Sequence, residues 1–279
     1  MAVYDVSGNE LSLSDSKSRF RDFIQFRYER DETTGAFYTH VIIPQKNPFG
    51  DVQYPFVYWP NYPNGGTESA YQLNQREKYL FVVNGGKYGS PWGNGVTLTG
   101  LPLGTVIQNG VVLQQGSSDN IGNPSQEWVL TINNKGELGY GRYYDSASEM
   151  VSNGIVSALT GFIPILVNYT DIQDLETTDM DYVDCTDDGQ RQILGQYGNG
   201  DYAIITAEAR GYQGGSRFTI KQIQTLCKQL GLKFAFVLDG GGSAETVMDN
   251  KQFNPFYDNT YGRRNPTFIV FNGSTDFPA

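Results

Sequence analysis

Unbroken apolar runs, rather than alternating ones, mark the firmest strands of this chain. Phe234 to Leu238 is apolar at every position, and so are Tyr79 to Val83 and Tyr202 to Ile205 before their polar ends. A strand without alternation is one buried on both faces. Ahead of the first run, Ile220, Ile223, Leu226, Cys227 and Leu230 recur at helical spacing behind a capping-box pair, Thr219 and Gln222. Gly231 stands where a helix C-terminus favours glycine. A second helix is predicted over Glu68 to Lys78, with Thr67 as its N-cap. Asn109-Gly110 reads as a hairpin turn, as does Asn133 to Gly136 between the strands Trp128 to Ile132 and Leu138 to Tyr140. Two strand-like runs lie within residues 19–45, a proline-rich loop spans Asn47 to Gly66, and Thr267 to Phe271 forms a closing strand. The pattern predicts an α+β fold: a twisted, mostly antiparallel β-sheet system with a few packed helices.

Composition narrows the picture. No internal repeat or low-complexity tract interrupts the chain, so a polar N-terminal arm (residues 1–18) and one domain (residues 19–279) are expected. The net charge of −10 argues against nucleic acid or an anionic membrane as the main partner. No apolar run approaches membrane-spanning length, and the opening residues lack the basic and hydrophobic regions of a signal peptide. The expected location is therefore on a phage virion, or the cytoplasm until release; Ala2 to Asn9 resembles the openings of phage tail-associated proteins. Assembly into a homo-oligomer or particle through the arm goes with that expectation. Cys185 and Cys227 read as buried free thiols, and one histidine, His40, leaves little scope for histidine-based triads or metal clusters. The acidic stretch Asp171 to Asp188 is a solvated loop; no cofactor is expected, though this stretch admits a structural divalent cation.

Candidate chemistry gathers where the apolar strands end. After Leu238 come Asp239, Gly240, Gly241, Gly242 and Ser243: a carboxylate leaving a rigid strand, a pliable backbone and a hydroxyl. The plain alternative is that Asp239 caps a turn, but three successive glycines are entropically costly for a mere bend. No lysine follows them as a phosphate-gripping nucleotide loop requires. Val83 is followed by Asn84, Gly85 and Gly86, the same local design, in which Asn84 is either a turn residue or a donor to a sugar hydroxyl or phosphate oxygen.

Leu238 to Ser243, after its helix and strand, resembles the signature of the phosphodiester glycosidase domain. Other segments resemble that family in the same order, from about Thr39 to Phe271. Asn84, Gly85 and Gly86 match its asparagine-glycine-glycine motif, and Arg191 takes the position of a strand arginine. Glu208, Ala209 and Arg210 stand where the family carries aspartate, glycine and arginine; Asn168-Tyr169 and the inserted Glu245 are further departures. Arg263 or Arg264 with Asn265 fits an arginine and asparagine before the last strand.

The resemblance implies a hydrolase that cleaves a glycosyl phosphodiester, or a related glycosidic bond, in a surface glycan. Such hydrolysis normally uses two carboxyl groups, and a phosphate leaving group calls for cationic donors. The implied catalytic residues are Asp239 with Glu208 or Glu245. Asn84, Gly85, Gly86, Arg191, Arg210, Gly240, Gly241, Gly242, Ser243 and Arg264 are the implied contacts to sugar and phosphate. The alternative is a glycan-binding or structural tail module that keeps the fold without turnover.

Overall fold

The apolar run around Phe236 needs cover on both faces and a neighbour on both edges, and the architecture supplies all four. A computed structural model describes residues 20–89, 100–117, 128–172, 189–209, 212–254 and 263–273. The expected N-terminal arm, Arg210, Cys185 and nearly all of the acidic stretch lie outside the described residues. The first half of the chain runs β1 (Gln25–Arg30), β2 (Phe37–Ile43), β3 (Phe56–Tyr58), α1 (Ala70–Glu77), β4 (Phe81–Asn84), β5 (Val106–Gln108), β6 (Val111–Gln114), β7 (Trp128–Asn133) and β8 (Leu138–Arg142). The second half runs α2 (Ala147–Ser152), β9 (Ile155–Thr160), β10 (Ile163–Val167), β11 (Thr170–Asp171), β12 (Arg191–Tyr197), β13 (Tyr202–Ala207), α3 (Ile220–Gln229), β14 (Leu232–Val237), β15 (Thr246–Met248), β16 (Lys251–Gln252) and β17 (Phe268–Phe271).

These strands form three sheets, every pairing of which is antiparallel. The largest runs β1-β2-β13-β12-β14-β10-β11, the second β16-β15-β4-β17-β3 and the third β6-β5-β9-β7-β8. The fold is α+β. All three unbroken apolar strands are interior: β14 between β12 and β10, β13 between β2 and β12, and β4 between β15 and β17.

Local chemistry sets the element ends. Thr219 caps α3 by accepting from the Gln222 amide, Gln222 answers on the Thr219 amide, and Gly231 follows at φ +80°. In α1 the cap is Ser69, not Thr67, because Ser69 makes the reciprocal pair with Gln72. Asn109 and Gly110 both take positive φ (52° and 73°), the geometry of a tight hairpin between β5 and β6.

One large apolar cluster joins the layers. Ile220, Ile223, Leu226 and Cys227 of α3 are buried in it, and Gln224 donates from Nε2 to the Ile165 carbonyl at 2.8 Å. Burial also pushes the Cys227 thiol up to about 12, so it is an inert core thiol. Toward the second and third sheets, Tyr202 packs on Phe271 (ring centroids 5.4 Å apart) and donates from its hydroxyl to the Gly136 carbonyl at 2.8 Å. Gln192 reaches Thr246 Oγ1 at 3.1 Å. Each fully buried large apolar side chain here contributes roughly 1.5–3 kcal/mol.

Candidate active site

Two of these interior strands, β14 and β4, deliver their glycine-rich ends to one place. The Asp239 amide donates to the Gly85 carbonyl at 3.3 Å, and Asn84 Nδ2 donates to the Asp239 carbonyl at 2.7 Å. Asn84 Oδ1 in turn accepts from the Glu245 amide at 3.1 Å, so one buried amide side chain ties both ends of the Asp-Gly-Gly-Gly-Ser loop to β4. Contact requires glycine at Gly85, where a Cβ would lie 2.5 Å from the Thr267 carbonyl oxygen, and at two further positions here. A Cβ on Gly86 would lie 1.8 Å from the Thr160 carbonyl oxygen, and one on Gly240 would lie 2.6 Å from that of Gln190. All three obstacles are main chain and cannot rotate away.

Asp239 is the centre of the charged groups. Its Oδ1 accepts the Gly240 amide at 3.0 Å. Burial pushes its carboxyl up to about 6, against the opposing pull of the Ser243 hydroxyl, the Arg263 guanidinium, the Gly240 amide and the Lys87 ammonium. The Tyr88 phenol is raised by burial and by the charge of Asp239, while Ser243 and Arg263 act in the opposite direction. Lys87 is fixed at both ends: its amide donates to the Thr160 carbonyl at 3.1 Å, and its Nζ lies 4.5 Å from the centre of the Phe162 ring. Arg263 donates its amide to the Gly242 carbonyl at 3.0 Å, and Asn265 Nδ2 holds the Ser243 carbonyl at 3.3 Å. One carboxylate, two cations, a phenol and a hydroxyl thus converge on two strand ends and the approach to β17.

The residues nominated from the sequence fall into several settings. Asn84, Gly85, Gly86, Gly240, Gly241, Gly242 and Ser243 are all in this cluster with Asp239. Glu208 follows β13 and is buried; Gln190 Nε2 donates to its Oε2 at 2.6 Å. Its Oε1 has no hydrogen-bond partner among the described residues, and burial pushes the carboxyl up to about 7. Gln190 also accepts the Gly241 amide on its carbonyl at 2.8 Å, which links Glu208 to the glycine loop by one residue.

Glu245 is placed differently. It is fully buried, and its Oε2 accepts the Ala70 amide at the start of α1. Its carboxylate therefore serves a helix N-terminus, where negative charge is favoured. Arg191 is buried with its Nη1 on the Gly189 and Gln190 carbonyls at 3.1 and 3.3 Å, and it alternates with Gln190 and Gln192 on the other face of β12. Arg264 is exposed, and it is its neighbour Arg263 that acts on Asp239. Lys87 and Tyr88 escaped sequence reasoning altogether; their one signal was direct succession to Asn84-Gly85-Gly86. Among the described residues no group of three or more His, Cys, Asp or Glu side chains is arranged to hold a metal ion.

Residues 77–272 match the model of the phosphodiester glycosidase family. No curated protein matches the chain by sequence. Among solved structures, the catalytic domain of zebrafish N-acetylglucosamine-1-phosphodiester alpha-N-acetylglucosaminidase, auto-inhibited by its pro-peptide, is similar at 18% identity and a TM-score of 0.65, over 89% of this chain and 82% of that one. A hypothetical protein from Synechocystis is similar at 14% identity and a TM-score of 0.58, over 89% of this chain and 62% of that one. A protein described as exported from Burkholderia pseudomallei is similar at 12% identity and a TM-score of 0.56, over 85% of this chain and 74% of that one. At these identities the structural likeness speaks to the fold.

Proposed function

The chain belongs to the phosphodiester glycosidase family, and from that premise we propose that it hydrolyses the bond between a sugar's anomeric carbon and a phosphodiester. The observation that carries the reading is the juxtaposition of Asp239 with Lys87 and Arg263. Cleavage at an anomeric carbon develops positive charge on the sugar ring and negative charge on the departing phosphate. A carboxylate beside two cations answers both charges at once.

In this mechanism Lys87 and Arg263 hold the phosphate, and the arginine fork adds directional donors that an ammonium lacks. A phosphate monoester leaves without strong acid assistance, so these cations do the work a general acid does for poorer leaving groups. Asp239, ionised above about pH 6, faces the sugar and stabilises the oxocarbenium-like state. Tyr88 and Ser243 are hydrogen-bonding groups for the sugar and phosphate oxygens at the same point. Glu208, with its carboxyl near 7 and its tie through Gln190 to the glycine loop, is suited to exchange a proton with the attacking water. Asn84 acts by position, since its amide fixes the loop that carries Asp239.

The zebrafish protein is named for an N-acetylglucosamine-1-phosphodiester, and the same bond class, carried in a surface glycan, is the substrate proposed here. The test is release of N-acetylglucosamine from a chromogenic N-acetylglucosamine-1-phosphodiester by purified protein. Steady release supports the reading; no release across pH 4–8 removes it.

A further inference from the structure

The end of the large sheet that carries the candidate site continues past Glu208 onto a shelf of aromatic rings. The Glu208 amide donates to the Phe37 carbonyl at 2.9 Å, so the first residue of β2 is hydrogen-bonded to the candidate acid. Phe37 stacks on Tyr28 of β1, with ring centroids 5.7 Å apart and planes within 11° of parallel. One pleat further along the same face, Phe26 of β1 meets Phe253 at 4.8 Å. Phe253 precedes Asn254, whose Nδ2 reaches Gln190 Oε1 at 3.4 Å, so this second ring pair also borders the site. Phe26 and Tyr28 keep 43% and 39% of their surface exposed, although they sit on an edge strand that could have carried polar residues at no cost to the core.

We propose that this shelf is a subsite for a neutral oligosaccharide extending from the sugar held at Asp239. The inference rests on the phosphodiester glycosidase reading and extends it from a bond to a chain. Three features select this occupant. The exposed apolar groups are ring faces, whose negative quadrupole suits the weakly positive C–H face of a pyranose. On the same face of β1 they are followed by Arg30, whose guanidinium carbon lies 5.8 Å from the centre of the Phe37 ring, so the shelf is a short row of rings ending in a charge and not the broad aliphatic patch a protein partner covers. The shelf is also continuous with the candidate site: β2 and β1 lie three and four strands from β14, roughly 14–19 Å at about 4.8 Å per strand. That separation requires a ligand several sugar rings long.

Calorimetric titration of the full chain carrying Asp239→Asn with N-acetylglucosamine oligomers of one to six units tests this. Affinity should rise with length by about tenfold or more in total, on the scale of two aromatic contacts. Phe26→Ala with Tyr28→Ala should flatten the rise, and Tyr28→Trp, which keeps a ring, should preserve it. Affinity independent of length, no binding of any oligomer, or an unchanged profile in the double variant would overturn the proposal. So would a double variant that changes only the oligomeric state in light scattering, which would make the shelf a contact between copies. Turnover of the single-sugar phosphodiester by the wild-type chain is read separately. Its absence alongside a length-dependent affinity would remove the hydrolase reading and leave the shelf as a glycan site.

Discussion

Asn84 and Asp239 lie 155 residues apart in sequence and are joined at 2.7 Å, the amide of one to the carbonyl of the other. Because Asn84 Oδ1 also holds the Glu245 amide, the side chain needs both a donor and an acceptor. Asn84→Asp keeps the size but sets an acceptor against the Asp239 carbonyl. It should cost about 1–3 kcal/mol of stability, read as a lower denaturation midpoint, together with most of the activity. Asn84→Ala should lose a similar amount. A variant with unchanged midpoint and turnover would show that the loop holds itself.

The cations should act on the phosphate rather than on the fold. Lys87→Met and Arg263→Lys are expected to raise KM for the phosphodiester roughly tenfold or more, the scale of a lost charge-assisted hydrogen bond. An aryl glycoside of the same sugar, which has no phosphate, should change much less. Equal losses on both substrates would assign these residues to the sugar or to loop structure.

The pH dependence of stability carries the signature of Glu208. Its carboxyl stands near 7 in the folded chain against an ordinary 4.5. The folded state therefore binds the extra proton between those values, and stability falls as pH rises through the window. Glu208→Gln removes this contribution, so the variant should gain on the wild type from pH 4.5 to pH 8, by ~1–3 kcal/mol. Urea denaturation at several pH values measures it. A difference that shrinks over that range would mean that Glu208 is stabilised as an anion.

Glycine requirements separate contact from conformation. Gly86→Ala places a methyl 1.8 Å from a main-chain oxygen and should cost about 3 kcal/mol or more, or prevent folding. Gly110→Ala meets nothing within 4 Å and pays only for a positive φ of 73°, about 1–2 kcal/mol. Comparable midpoints for the two would contradict the close packing of β4 against Thr160.

Much of this architecture was legible locally. The capping pair of α3, the unbroken apolar run of β14 and the Asn109-Gly110 turn each depend on neighbours within a few residues, and the sequence displays them. The cap of α1 was legible only in part: Thr67 reads as the N-cap, yet it is Ser69, with Gln72 three residues on, that makes the reciprocal pair. What was not legible depends on partners far along the chain. Glu245 looks catalytic beside the glycines, but its carboxylate meets Ala70, 175 residues away. Nothing local distinguishes Arg263 from Arg264; the bond from the Arg263 amide to Gly242 does. Lys87 and Tyr88 follow a glycine pair that a reader attends to for its flexibility, and their charge and hydroxyl matter only once β14 is placed beside them.

Asp239 bears the central claim, and Asp239→Asn isolates it. Its carboxyl is held up to about 6 by burial, so a neutral isostere should leave the denaturation midpoint at pH 7 equal or slightly higher. The decisive measurement is the rate of N-acetylglucosamine release from its 1-phosphodiester by this variant beside the wild type. The account predicts a fall of about a thousandfold or more, with the fold intact. A folded variant that retains full turnover would contradict it.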